Sequence, residues 1–299
     1  MANRLSLSDL DHLSTGKRAR LYRMLHQFGP GNGTALFLPI DQGLEHGPRD
    51  FFANPDAADP NFQFKLAVEG RYSGIALQYG LAQKYYRQYV GQVPLIVKLN
   101  GKTEIPSDAE AFSACLASVE DAVALGADAV GYTLYVGSPA QAQDFTQWET
   151  VRRDAERLGM PTIIWAYPRG EAVEKKGGKE SSWAIEYAAR AAAEVGADVV
   201  KINFPTESPS EGSPKPYDTE KFSPEESIGR AVKSAGKTLV LVSGGEKEPD
   251  DELLEKARRS FAAGAAGLIF GRNTWQRPYD QALQLAKNLR EIALGGSDA

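Results

Sequence analysis

Eight short apolar segments recur along the chain, most of them preceded by a stretch with helical spacing. They are TALFLPID (34–41), YSGIALQ (72–78), VPLIVKLN (93–100), DAVGYTLY (128–135), PTIIWAYP (161–168), ADVVKIN (197–203), TLVLVSGG (238–245) and AGLIFGRN (266–273). Amphipathic patterns such as SDAEAFSACLASVEDAVALG and SWAIEYAARAAAEVG lie between them. Strands alternating with helices imply βαβ units and a parallel sheet. Eight such units in 299 residues fit an α/β fold of the (β/α)8 TIM-barrel type. A local repeat agrees: GADAVGYTL, GADVVKINF and GAAGLIFGR each place a glycine and a small residue before a strand. Gly126, Gly196 and Gly264 therefore read as C-terminal caps that turn a helix into the next strand. A doubly wound open sheet is the competitor, but no Gly-x-Gly-x-x-Gly turn follows the first strand. No shift in composition marks an internal boundary. One barrel domain is expected over 34–299, preceded by a helical extension over 1–33 that covers the barrel bottom or contacts another subunit.

Composition narrows the partners. A hydrophobic content of 42% and a charged content of 24% are ordinary globular values. The formal net charge of −5 argues against a nucleic-acid partner, which needs a basic face. No run of about 18 apolar residues exists to span a membrane, and the polar N-terminus lacks the apolar core of a signal peptide. A single cysteine, Cys115, excludes an intrachain disulfide and fits a reducing cytoplasm. Its place in AFSACLASVEDAV gives the expectation of a buried packing residue on a helix. Two of the three histidines, His12 and His26, fall in the extension and leave only His46 elsewhere, which disfavours a zinc site built on several histidines.

The period of two along a strand sorts candidate side chains. In the sixth segment Val200, Ile202 and Phe204 share one apolar face, while Val199, Lys201 and Asn203 share the other. Lys201 is thereby expected to point into the barrel near its C-terminal mouth, where barrel enzymes carry their chemistry. Poor solvation there favours the neutral amine, a usable nucleophile. The alternative is a structural ion pair with an inward carboxylate such as Asp41. The fifth segment turns Ile163, Trp165 and Tyr167 inward and ends in a phenol beside Lys201, a candidate proton carrier. The first segment ends in Asp41 on the face of Phe37 and Pro39. Ser243-Gly244-Gly245 and Gly271-Arg272-Asn273 end the seventh and eighth segments. Glycine-rich ends there suit a phosphate, with Arg272 adding a bidentate guanidinium. Lys98, Lys102 and Arg169 are candidates for a second phosphate, and Lys98 rivals Lys201 for imine formation. Lys175, Lys176 and Lys179 read as a solvated loop face.

Taken in order, DQGLEHGP, WAYPRG, VVKINF, SGG and GRN resemble the archaeal-type class I fructose-bisphosphate aldolases, the DhnA-like group of the DeoC/LacD-type aldolases. The likeness runs from about Thr34 to Arg277. It implies that Lys201 forms the Schiff base, that Tyr167 is the general acid/base, that Trp165 lines the site and that Asp41 lies beside the lysine. Ser243, Gly244, Gly245, Gly271 and Arg272 would grip the substrate phosphate. It also implies a cytoplasmic homo-oligomer, often of ten subunits, that needs no metal or other cofactor. Many members have histidine where this chain has Gln42, so no histidine at that position can enter the mechanism, and His46 is read as a loop or supporting residue. The expected reaction is reversible cleavage of fructose 1,6-bisphosphate to dihydroxyacetone phosphate and glyceraldehyde 3-phosphate. Three alternatives share parts of the pattern: another imine-forming aldolase or transferase, such as one making amino-deoxyheptulosonate; a phosphosugar isomerase or epimerase without an imine; and a non-catalytic sugar-phosphate sensor.

Overall fold

A computed structural model describes residues 4–295; residues 1–3 of the expected extension and 296–299 of the expected barrel span lie outside the described residues. Ten strands occur in chain order: β1 (Ala35–Pro39), β2 (Gly74–Gln78), β3 (Leu95–Lys98), β4 (Asn100–Gly101), β5 (Ala114–Cys115), β6 (Ala129–Val136), β7 (Thr162–Pro168), β8 (Val199–Ile202), β9 (Leu239–Ser243) and β10 (Gly267–Ile269). Eight close a parallel barrel in the order β1-β10-β9-β8-β7-β6-β3-β2, which is the (β/α)8 architecture. Each of the eight apolar segments supplies one of them, so the fifth to eighth segments are β7 to β10. Gly126, Gly196 and Gly264 take φ of 74°, 88° and 95°, a left-handed turn that a side chain would resist.

Alternation divides the apolar residues into two layers. Leu36, Val97, Val130, Ile164, Val200 and Val242 pack outward against the helices. Phe37, Ile96, Ile163, Trp165, Val199 and Leu241 fill the interior. Residues 4–33 join that interior: Leu5, Leu10, Leu21, Met24 and Leu25 belong to the same cluster. This segment comprises a 3-10 turn (Leu7–Leu10), a helix (Thr15–Tyr22) and a π-helical turn (Arg23–Gln27). Lys17, on the helix, is fully buried. Its ammonium lies 2.9 Å from Asp198 and also pairs with Glu156. Asp198 in turn accepts a hydrogen bond from the Thr162 backbone N–H at 2.8 Å, tying the entries of β7 and β8 together.

The structure corrects the sequence over 107–126. The pattern there predicts one long helix, but the helix spans only Val119–Ala124. Ser118 caps it, with Asp121 returning the bond to the Ser118 backbone. Upstream lie a 3-10 turn (Asp108–Glu110) and an extended stretch in which β5 pairs antiparallel with β4. The backbone groups there find partners outside a helix: Leu116 N–H donates to Leu99 O at 2.7 Å, and Asn100 Nδ2 donates to Ser113 O at 3.2 Å. Cys115 is consequently exposed, not a buried helical packing residue.

Removing one partner of a buried ion pair strands the other charge. Lys17→Ala is expected to destabilise the protein by about 3 kcal/mol or more, read as a lowered urea midpoint. A change below about 0.5 kcal/mol, the range of neutral surface substitutions, would mean that the Lys17–Asp198 contact does not hold the barrel bottom.

Candidate active site

At the C-terminal ends of the strands lies a cavity of about 320 Å³ whose wall includes Asp41, Tyr167, Lys201, Ser243, Gly245 and Arg272. Lys201 reaches it because β8 is in register with both neighbours, Trp165 on β7 and Leu241 on β9, and all three point inward. Lys201 is 6% exposed. Its Nζ hydrogen-bonds the Tyr167 hydroxyl and sits 4.3 Å from the centre of that ring. The carboxylate nearest in role, Asp41, is paired elsewhere: Lys98 Nζ lies 3.3 Å from its Oδ2 and donates to Thr133 Oγ1 at 2.6 Å. Lys201 is thus not half of an Asp41 ion pair.

Its protonation follows from that arrangement. Burial pushes the Lys201 ammonium down to about 7; the negative charges of Asp41 and Glu45 pull upward, and Lys98 and Arg169 push further down. A substantial share of the amine is therefore neutral near pH 7. Tyr167 moves the opposite way. Burial, then the charges of Glu45 and Asp41, raise its phenol well above the usual range, against the opposing Arg169. A phenol that keeps its proton therefore stands in hydrogen-bond contact with a part-neutral amine.

The two ends of the cavity differ. After β9 and β10, Ser243-Gly244-Gly245 and Gly271-Arg272 bring bare backbone to the wall. A Cβ at Gly271 would lie 2.7 Å from Pro39 O, and one at Gly244 would lie 2.9 Å from Asn273 Nδ2. Glycine is therefore required for this close packing. Buried Asn273 ties the loop down by donating to Gly244 O at 3.1 Å and Glu246 O at 2.7 Å. The Arg272 guanidinium makes no hydrogen bond or ion pair among the described residues, which leaves it free for an anion. Across the mouth, Arg169 and Lys102 meet Asp108 at 3.0 and 2.8 Å, and Arg169 lies 5.1 Å from the Tyr167 ring centre.

Two sequence candidates sit lower than expected. Trp165 and Lys98 do not line this cavity; Trp165 is 2% exposed, and its ring centre lies 4.9 Å from Lys98 Nζ, forming a floor beneath Asp41. Lys179 is exposed, as expected of a solvated loop face, and also borders the cavity. Glu45 and Asp108 were not singled out from the sequence. Glu45 follows Asp41 by one helical turn (Gln42–Glu45), a spacing of four that could have signalled it. His46 turns to Asp50, 2.7 Å away. Among the described residues no group of three or more His, Cys, Asp or Glu is placed to hold a metal, and no helix is long and apolar enough to cross a membrane.

The family model described as DeoC/LacD family aldolase matches residues 35–277. A class 1 fructose-bisphosphate aldolase of Thermoproteus tenax is 42% identical over 265 residues, 88% of this chain and 91% of the relative. A fructose-bisphosphate aldolase/6-deoxy-5-ketofructose 1-phosphate synthase of Methanocaldococcus jannaschii is 33% identical over 88% of this chain and 83% of its own length. Among solved structures, an archaeal fructose-1,6-bisphosphate aldolase with its catalytic lysine covalently bound to the carbinolamine intermediate superimposes with a TM-score of 0.79. It is 38% identical, over 92% of this chain and 100% of that one.

A reaction that draws on the neutral Lys201 amine is expected to rise with pH through about 7. Glu45 favours the ammonium, so Glu45→Gln should move this limb to lower pH by about half a unit in a kcat/KM profile. A limb that stays put or moves upward would show that the Glu45 charge does not govern Lys201.

Proposed function

The chain belongs to the DeoC/LacD aldolase family, and on that premise we propose that it is a class I fructose-1,6-bisphosphate aldolase, a lyase acting through an imine on Lys201. The observation that carries this reading is the buried, carboxylate-free Lys201 amine hydrogen-bonded to the Tyr167 phenol at the barrel mouth. The Thermoproteus relative and the carbinolamine-bound structure support the choice of sugar and of imine chemistry.

In the proposed cycle, Lys201 Nζ adds to the C2 carbonyl of the bisphosphate, and the carbinolamine loses water to give a protonated imine. That cation lies where the ammonium contacts the phenol. Tyr167 gives its own proton to the departing carbinolamine hydroxyl, which leaves as water, and the phenolate so formed, stabilised by the adjacent imine cation, accepts the C4 hydroxyl proton. The C3–C4 bond then breaks, its electron pair moves into the imine, and glyceraldehyde 3-phosphate leaves. Tyr167 returns the proton to C3 of the enamine, and water hydrolyses the imine to free dihydroxyacetone phosphate and Lys201. The imine is the electron sink, so the reading needs neither metal nor organic cofactor. Asp41, held by Lys98, orients substrate hydroxyls and supplies a fixed negative charge to the cationic intermediate. Ser243, Gly244, Gly245, Gly271 and Arg272 hold one phosphate; Arg169 and Lys102 hold the other. Trp165 and Lys98 act from beneath by fixing that floor. Cations at both ends favour a bisphosphate over a sugar with one phosphate.

The same reading treats residues 4–33 and the barrel as one catalytic unit, supported by their shared interior core. It takes the protein to be a cytoplasmic homo-oligomer, which light scattering can check for subunit number.

Borohydride reduction in the presence of dihydroxyacetone phosphate is expected to leave a mass adduct that maps to Lys201 and vanishes in Lys201→Ala. No adduct, or one on Lys98, would sink the assignment. Tyr167→Phe should still form the adduct but lose about 100- to 10,000-fold in turnover, the usual range for a positioned acid/base. Near-normal cleavage by that variant would remove Tyr167 from the role.

A further inference from the structure

The cation pair at the distal end of the cavity is already occupied by the protein itself. Asp108 offers one carboxylate oxygen to Lys102 Nζ at 2.8 Å and the other to Arg169 Nε at 3.0 Å. Two oxygens of one anion bridging two cations is the arrangement that two phosphate oxygens would adopt. Both cations border the main cavity, and both side chains are largely buried, at 12% and 14% exposed. The Asp108 side chain is 48% exposed, so it approaches them from the solvent side. It stands on a one-turn 3-10 segment, Asp108–Glu110, within an exposed stretch over 104–110. That stretch is anchored at its start, where the Glu104 N–H donates to Glu45 O at 2.8 Å and Arg49 pairs with Glu104 at 2.8 Å. Asp108 can therefore leave without opening the core.

We propose that Asp108 is a specificity-determining residue: it holds the distal anion site in the free protein, and a substrate must carry a second dianionic group to displace it. The inference rests on the aldolase reading above and adds a cause for selectivity. A phosphate carries more charge than a carboxylate and more acceptor oxygens, so it outcompetes Asp108 at the cation pair. A half-exposed ion pair is cheap to break. A ketose ending in a neutral hydroxymethyl group has nothing to exchange for Asp108 and leaves it in place.

The test compares KM for fructose 1,6-bisphosphate and fructose 1-phosphate in the wild type, Asp108→Asn and Glu110→Gln. Glu110 lies on the same exposed turn and its carboxylate makes no hydrogen bond or ion pair among the described residues, so it controls for a general change of charge. Asp108→Asn is expected to lower KM for the bisphosphate about three- to tenfold, the worth of one or two exposed ion pairs, while the monophosphate changes less than about twofold. Glu110→Gln is expected to move neither by more than about twofold. An unchanged or raised bisphosphate KM in Asp108→Asn would overturn the proposal. So would a shift of both sugars together, which is what a merely structural role for the turn would produce. Wild-type protein that cleaves neither sugar and forms no dihydroxyacetone phosphate adduct would remove the aldolase reading and this inference with it. That result differs from a failure confined to Asp108→Asn.

Discussion

An amine buried at the barrel mouth with no carboxylate of its own is the constraint on which the rest of the site depends. Two lysines point into the barrel interior, Lys201 at the cavity and Lys98 beneath it, and both lie near the inward Asp41. Lys98 takes it, with Thr133 as a second partner, and so keeps a compensated charge. Lys201 is left with a phenol, which satisfies a hydrogen bond without supplying a counter-charge. Burial then acts on the proton equilibrium, since a lone ammonium in a poorly solvated site lowers its free energy by losing a proton. The cost of dehydrating the charge becomes nucleophilicity at neutral pH.

That outcome requires a rigid frame, and β8 shows how the chain provides one. Asp198, at its entry, is locked to Lys17 and the Thr162 backbone, and Lys201 lies three residues on at the other end. One short strand therefore carries a paired charge at the closed bottom and an unpaired amine at the open top. The bottom is sealed by apolar side chains from residues 4–33, while the top is lined by polar groups and bare backbone. The polarity difference sets where water and an anionic sugar can enter. Across the mouth, free Arg272 and glycine backbone face Arg169 and Lys102, which the single Asp108 carboxylate bridges and only half compensates.

Much of this was legible in the sequence, because strand parity and the glycine caps are local signals. The eight strands, the inward set of Lys201, Tyr167 and Asp41, and the grouping of the glycine-rich ends all follow from spacing of two and from chain order. Parity tells which way a side chain points, but not its depth or its partner. Trp165 and Lys98 were correctly read as inward and still lie beneath the cavity, and nothing local decides which lysine takes Asp41. The 107–126 stretch failed for a related reason. Its alanine-rich pattern favours a helix, but Leu99 O and Asn100 offer its backbone a different set of partners. Asp108 stands on a 3-10 turn at the start of that departure from the helix, and nothing in its local sequence marks it.

The claim that Lys201 is kept part-neutral by burial can be measured on the side chain directly. Protein labelled with 13C at lysine Cε, with the Lys201 signal assigned by its loss in Lys201→Arg, can be titrated by NMR in the absence of substrate. The account predicts a midpoint near 7, far below the ordinary lysine value of 10.5. A Lys201 signal that titrates at 10 or above would contradict it, because the amine would then be a solvated or ion-paired ammonium at neutral pH.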